Sequence, residues 1–237
     1  MKALVIIPCY NEEKSIVNTV KKIEDTKIKG VTLDYIVIND GSNDNTKQVL
    51  IDNKINYIDL PFNLGIGGAV QTGYKYAYYN NYDIAIQFDG DGQHDASYIK
   101  DLIDEIKKGD DIVIGSRFVS ELSTFKSTRL RRLGINFLSK LIELVTAKRI
   151  YDPTSGFRAC NKKIIELFSY NYPIDYPEPD TIVTVIKKGY EVSEIPVKMN
   201  KRENGKSSIN PIKSIYYMIK VSLAIIIAAT SFKKGND

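Results

Sequence analysis

The chain has 237 residues, 43% hydrophobic and 26% charged, with a formal net charge of +4. This balance excludes a disordered or fibrous protein and allows one large domain or two small ones. Cys9 and Cys160 are far apart and form no CxxC pair, so a disulfide framework and a zinc ribbon are excluded and both thiols read as reduced, cytosolic and buried.

The aliphatic run at 3–7 stops at Pro8-Cys9-Tyr10-Asn11, too early for a signal peptide, and predicts a buried strand. A helix is expected next, with Asn11 as N-cap, Glu12 and Glu13 in its first turn, and Ile16, Val17, Val20 and Ile23 on one face. Further strands are predicted at 35–38, 57–60, 84–88 and 112–114, and helices at 46–51, 65–79 and 98–106. This alternation predicts an α/β fold with a parallel, doubly wound sheet. Three strands run into polar, glycine-containing turns: Asn39-Asp40-Gly41-Ser42, Asp89-Gly90-Asp91-Gly92 and Gly115-Ser116-Arg117. Ligands of open α/β sheets bind beyond the carboxyl ends of strands, so Asp40, Asp89, Asp91 and Arg117 are expected to converge.

The character changes after residue 120. At 127–149, Arg129, Arg131, Arg132, Lys140, Lys148 and Arg149 interleave with Leu130, Leu133, Phe137, Leu138, Leu141, Leu144 and Val145. A basic amphipathic helix reads as a membrane-surface or partner-binding element; a core helix with a solvated basic face is the alternative. The uncharged run at 221–232 is shorter than the roughly 20 residues that a spanning helix needs. With Lys213, Lys220, Lys233 and Lys234 around it, a helix lying in the membrane interface is favoured over a tilted span. The expected division is a catalytic domain at 1–208 and a C-terminal amphipathic helix at 209–237.

Asp89-Gly90-Asp91-Gly92-Gln93-His94 is the most chemical stretch. Two carboxylates and an amide oxygen are hard ligands suited to Mg²⁺ or Mn²⁺. Asn63-Leu64-Gly65-Ile66-Gly67-Gly68 is glycine-rich but lacks the endings of a P-loop or a dinucleotide fingerprint. Tyr176-Pro177-Glu178-Pro179-Asp180 has two readings. Glu178 and Asp180 are a general base facing an acceptor, or carboxylates favoured at a helix start.

The ordered set of motifs resembles the family 2 glycosyltransferases with a GT-A fold, and more closely their polyprenyl-phosphate branch. Its carriers are Pro8-Cys9-Tyr10-Asn11-Glu12, Asp40-Gly41-Ser42, Asn63-Leu64-Gly65, Asp89 to His94, Gly115-Ser116-Arg117-Phe118, Asp152-Pro153-Thr154-Ser155-Gly156-Phe157-Arg158 and Arg202-Glu203-Asn204-Gly205-Lys206-Ser207. The resemblance implies that Pro8, Tyr10, Glu12, Asp40 and Gly65 line the nucleotide-sugar pocket, with Asp89 against the ribose and near the metal. Asp91 and Gln93 would hold a divalent cation on the donor diphosphate, with Arg202 and Lys206 clamping that diphosphate. Arg117, with Arg129 or Arg131, would hold an acceptor phosphate. The implied reaction is inverting transfer from a nucleoside-diphosphate sugar, UDP favoured over GDP, to a polyprenyl phosphate.

Glu178 and Asp180 depart from the dolichol-type pattern and keep open a saccharide-hydroxyl acceptor, for which one of them would be the base. A non-catalytic nucleotide-sugar-binding scaffold predicts a damaged metal site, whereas Asp89, Asp91 and Gln93 are all present. The expected location is the cytoplasmic membrane face, peripheral or weakly anchored, with a small membrane protein as a possible partner. No nucleic-acid partner is expected, because the basic residues alternate with an apolar stripe.

Overall fold

A computed structural model describes residues 1–119, 129–200 and 211–231, with side chains described from 131 in the second stretch and from 216 in the third. The first part alternates β1 (Lys2–Cys9), α1 (Ile16–Glu24), β2 (Thr32–Asn39), α2 (Thr46–Asp52), β3 (Tyr57–Asp59), α3 (Gly65–Tyr79) and β4 (Ile84–Gln87). After a short 3₁₀ turn come α4 (Ile99–Lys108), β5 (Ile112–Ser116), α5 (Arg129–Thr146), β6 (Arg158–Asn161), α6 (Lys162–Tyr170), α7 (Pro177–Lys187), β7 (Val192–Pro196) and α8 (Pro211–Ser231).

One seven-stranded sheet runs in the order β3-β2-β1-β4-β6-β5-β7. All pairings are parallel except those of β6, which is antiparallel to both β4 and β5. The expected α/β class therefore holds, and β6 makes the sheet mixed. Along β1 the side chains alternate between two cores, as the two-residue period of a strand requires. Ala3, Val5 and Ile7 join the α1 and α4 side, where Ile16, Val20, Leu102 and Ile106 are buried. Leu4 and Ile6 join the side of α3, α6 and α7, with Val70, Tyr74, Ile164 and Val183. A β-carbon on Gly73 would stand 2.1 Å from Ile6 Cγ2, so glycine is what lets α3 lie this close to the sheet.

Helices α5 and α8 are part of this second core. Ile135, Leu138 and Ile142 of α5 and Val221, Ile225 and Ala228 of α8 are buried. Their opposite sides carry exposed apolar side chains, Leu133, Phe137 and Leu144 on α5, interspersed with Asn136 and Lys140, and Tyr216, Ile219, Leu223 and Ile227 on α8. Among the described residues no helix is long and apolar enough to cross a membrane.

Several local expectations are corrected. Helix α1 begins at Ile16 behind Ser15, not at Asn11. Asn11 adopts a left-handed φ of 58°. Its amide donates to Ser42 Oγ, and its side-chain oxygen accepts from Asn43 N–H. Glu13 accepts from Asn45 N–H. These side chains lace the β1 turn to the β2 turn and leave the helix start to Ser15. Helix α5 stops at Thr146, with Ala147 at a positive φ of 59°, so Lys148 and Arg149 lie beyond it. Helix α7 begins at Pro177, which puts Glu178 and Asp180 in its first turn and agrees with the helix-start reading of the pair. Strands β6 and β7 and helix α6 were not expected from the sequence pattern.

Candidate active site

The strand order reverses between β1 and β4, and the crevice outside the carboxyl ends of strands at such a point is where open α/β sheets bind ligands. Pro8 and Asp89 flank that point. Gly90 lies so close that a β-carbon on it would be 3.1 Å from the Pro8 carbonyl oxygen. Thr19 Oγ1 donates to Gly90 O at 3.2 Å, tying α1 to the acidic turn. Within this turn Asp91 Oδ1 accepts Gln93 N–H at 3.0 Å, and Gly92 takes a positive φ of 77°.

His94 supports the turn from below. Asp89 N–H donates to His94 Nδ1 at 3.2 Å, and His94 Nε2 stands 3.5 Å from Asp89 Oδ2. The ring is buried and stacks on Phe157 with centroids 4.9 Å apart. Burial holds its pKa down at about 4, so the imidazole is neutral at pH 7 with its proton on Nε2. The histidine thus accepts a backbone hydrogen bond.

Strand β6 explains how a distant motif reaches this edge. A parallel strand delivers the residues that follow it to the carboxyl edge; an antiparallel strand delivers those that precede it. Asp152 to Gly156 precede β6 and land beside the ends of β4 and β5. Arg158 at the start of β6 is in register with both Gln87 and Ile114. Ser155 Oγ donates to Gly115 O at 2.7 Å. A β-carbon on Gly156 would lie 2.9 Å from Gln87 Nε2 and 3.2 Å from each carboxylate oxygen of Asp89.

Arg117 is buried and grips Asp152 with Nε and Nη2, each at 2.7 Å, while Nη2 also reaches Thr154 Oγ1 at 2.9 Å. Burial opposes its charge, but Asp152 outweighs burial and the nearby Asp89 adds to it, so its pKa is raised. Arg131 is solvent-reachable, yet crowding around it and the charge of Arg117 press its pKa down. Arg117, Arg131 and Asp89 therefore share one electrostatic neighbourhood.

Glu178 and Asp180 part company. Asp180 turns along its own helix, where Thr184 Oγ1 donates to it at 3.3 Å. Glu178 faces inward; burial raises its pKa, Arg158 partly offsets that, and Asp89 adds to it. Gln87 stands beside Glu178, yet neither amide atom meets hydrogen-bond geometry with any described residue. Arg158 is fully buried and ties the turn before β6 to helix α7, donating to Ser155 O at 2.7 Å and Thr181 Oγ1 at 3.0 Å.

On the far side of β1, Asp40 is buried, and its Oδ1 accepts Leu64 N–H at 2.7 Å. Its carboxyl thereby fixes the Leu64–Gly65 start of α3, with Gly65 at a positive φ of 79°. Gly41 is needed there, because a β-carbon would be 2.7 Å from Asn63 N. Tyr10 is exposed, and its hydroxyl accepts from Asn43 Nδ2 at 3.1 Å. Glu12 accepts from Ser15 Oγ at 2.5 Å. Of the four residues expected to converge, Asp89, Asp91 and Arg117 share electrostatic contacts around His94 and Asp152, and Asp40 holds the start of α3. Arg202 and Lys206 lie outside the described residues, as does the side chain of Arg129.

The Glycosyl transferase family 2 model matches residues 4–168, which include the acidic turn, Arg117 and the Asp152 motif. The chain belongs to family 2 of the glycosyltransferases. A Methanococcus voltae protein named UDP-N-acetylglucosamine--dolichyl-phosphate N-acetylglucosaminyltransferase is 31% identical over 215 residues, 82% of this chain and 84% of that one. The dolichol-phosphate mannosyltransferase of Pyrococcus furiosus is 32% identical over 218 residues, 88% of this chain and 59% of that one. Glucosyl-3-phosphoglycerate synthase of Mycobacterium tuberculosis, solved with Mn²⁺, UDP-glucose and phosphoglyceric acid, superposes with a TM-score of 0.70 at 17% identity, covering 100% of this chain and 81% of that one. That likeness bears out the GT-A-like fold.

Among the described residues of this family 2 chain, no group of three or more His, Cys, Asp and Glu is placed to hold a metal. Two carboxylates and one amide are nonetheless the donor set of a hard cation that takes its other ligands from a diphosphate and water. The groups that sequence reasoning left without roles are Gln87, Asp152, Gly156 and Arg158. A buried arginine opening a strand, after a Pro-Thr-Ser-Gly turn, is the signal that could have found them.

Proposed function

We propose that the chain is an inverting, metal-dependent glycosyltransferase that moves a sugar from a nucleoside-diphosphate sugar to a polyprenyl phosphate. UDP is the favoured nucleoside diphosphate, as in the name of the Methanococcus voltae relative and in the solved neighbour. The observation that carries the reading is the shared neighbourhood of Asp89, Arg117 and Arg131. Arg117 lies within electrostatic reach of Asp89, and Arg131 within reach of Arg117, which supports a cationic seat close to the acidic turn. A phosphate acceptor is anionic at neutral pH and needs little general-base help. What it needs is a cationic seat next to the sugar, and Asp152 pre-orients Arg117 for that task.

Asp91, Gln93 and Asp89 would hold Mg²⁺ or Mn²⁺, which when bound stabilises the charge on the departing diphosphate. Pro8, Tyr10, Glu12, Asp40 and Gly65 would bound the nucleotide, with Arg202 and Lys206 contributing cations to the diphosphate. The polyprenyl-phosphate names of the relatives support this acceptor. The exposed apolar side chains of α5 and α8 suit an enzyme resting on the cytoplasmic leaflet, residues 1–208 forming its catalytic part and 209–237 its attachment.

The decisive experiment supplies labelled nucleotide sugars together with membrane lipid extract and follows label into the organic phase. Metal-dependent transfer to lipid is expected. Transfer only to water-soluble saccharides would overturn the reading. One observation favours that second reaction: Glu178 lies within electrostatic reach of Asp89 and burial raises its pKa, which suits a base for a hydroxyl acceptor. The E178Q/D180N pair separates the two. Transfer within a few-fold of wild type supports the phosphate acceptor, and near-abolition supports the hydroxyl.

A further inference from the structure

Tyr217 of α8 carries out none of the roles assigned so far, yet it stands between the arginines and the α7 start. Its ring meets that of Tyr176 edge-on, with centroids 4.6 Å apart and planes at 89°. Arg117, Arg131, Glu178 and Tyr176 all lie within electrostatic reach of its phenol. The side chain is half-buried and packs against the core shared by α5, α7 and α8. No described residue hydrogen-bonds its hydroxyl.

We infer that Tyr217 is a ligand of the acceptor phosphate, donating a hydrogen bond from its phenol to a phosphate oxygen drawn in by Arg117 and Arg131. The inference rests on the polyprenyl-phosphate reading above. Guanidinium groups attract an anion from a distance; a fixed neutral donor adds direction at short range. Burial foremost, with the charge of Glu178 behind it, keeps the phenol protonated, so it donates rather than accepts at working pH. Glu178 acts electrostatically on Tyr217 and also interacts with Arg158, Asp89 and Gln87, while no hydrogen bond joins it to the Tyr217 phenol. The neighbours of Tyr217 along the helix point the other way. Tyr216, Ile219 and Leu223 are exposed and apolar. A single helix would thus offer one face to lipid and a phenol to the headgroup at the lipid's end.

The test uses the full chain, a short-chain polyprenyl phosphate in detergent and the donor that wild type accepts. For Y217F the acceptor KM is expected to rise about 10-fold or more, as for loss of a hydrogen bond to a charged group. Calorimetric affinity for UDP with Mn²⁺ and the melting temperature should stay at wild-type values. Combined with R131Q, the loss should be smaller than the product of the single losses, because both groups hold one phosphate. Wild-type acceptor kinetics in a folded Y217F enzyme would overturn the inference and leave the proposed function standing. Should Y217F melt early, Y217H restores a ring-borne donor; recovery of acceptor KM supports the role, and a loss equal to that of Y217F overturns it. A wild-type enzyme that glycosylates saccharide hydroxyls but not polyprenyl phosphate overturns both readings together.

Discussion

Arg117 and Asp152 form two parallel hydrogen bonds of 2.7 Å, with side chains 5% and 0% exposed. The backbone N–H of Arg117 adds a third bond to the same carboxylate at 3.0 Å. D152N should cost about 3–5 kcal/mol in stability, because it strands a buried guanidinium without its counter-charge. Urea unfolding of the two proteins measures this. A loss below 1 kcal/mol would show that the pair is not the keystone of this loop.

Gly156 is the floor beneath Asp89 and Gln87. G156A drives a methyl group to within 2.9 Å of Gln87 Nε2 and 3.2 Å of Asp89. Displacement of the Asp89 carboxylate should reduce transfer on the order of 100-fold. Since the conflict is with side chains rather than backbone, the melting temperature should change little. Full activity in G156A would mean that Asp89 tolerates movement.

The metal reading is checked by chelation and by D91N. EDTA should abolish transfer, and Mg²⁺ or Mn²⁺ should restore it. D91N should lower kcat roughly 100-fold at saturating metal, the scale for removing one stabiliser of developing charge. Transfer that survives exhaustive chelation removes the metal from the mechanism.

Glu194 links pH to the same loop. It accepts N–H bonds from Tyr151 at 2.7 Å and Asp152 at 2.8 Å, and burial raises its pKa despite them. A carboxyl with a folded pKa above its unfolded value favours the folded state most at low pH. Its contribution is complete below the unfolded pKa of about 4.3 and falls as pH rises through the folded value, at up to about 1.4 kcal/mol per pH unit. E194Q does not titrate, so the stability of wild type relative to E194Q should decline across that window. A pH-independent difference would contradict the assignment.

The exposed face of α8 predicts binding to vesicles. An L223D/I227D variant should lose flotation with liposomes containing anionic lipid while keeping its fold, because both positions are exposed. Undiminished flotation would place the contact elsewhere.

Much of this was readable from the chain alone, for identifiable reasons. Strands β1, β2 and β4 are aliphatic runs, and the local alternation rule applied to them directly. The acidic turn announced itself through two carboxylates at a strand end. Asn11 misled because good capping residues also bond neighbouring turns, and here Ser42 and Asn43 competed successfully for it. The tasks of Asp152 and Gly156 were hidden because they depend on β6 running antiparallel, a fact of long-range pairing that no local pattern carries. Glu178 and Asp180 looked equivalent; only the packing of α7 sets one within electrostatic reach of Asp89 and the other against Thr184.

The position of β6 also governs how the protein is made. Ile84 pairs with Asn161, and Ile112 with Cys160, so strand β5 reaches the sheet only through a strand that follows it in the chain. Such non-local pairing must close long stretches of chain before it is rewarded, which slows folding. On the ribosome, β1 to β4 with α1 and α3 can assemble early as a parallel unit. A nascent chain that ends before Arg158 already carries both aspartates of the acidic turn and Arg117, yet β5 has no neighbour to join it to β4. The carboxyl edge that brings Arg117 beside the acidic turn is therefore complete only once β6 has been made.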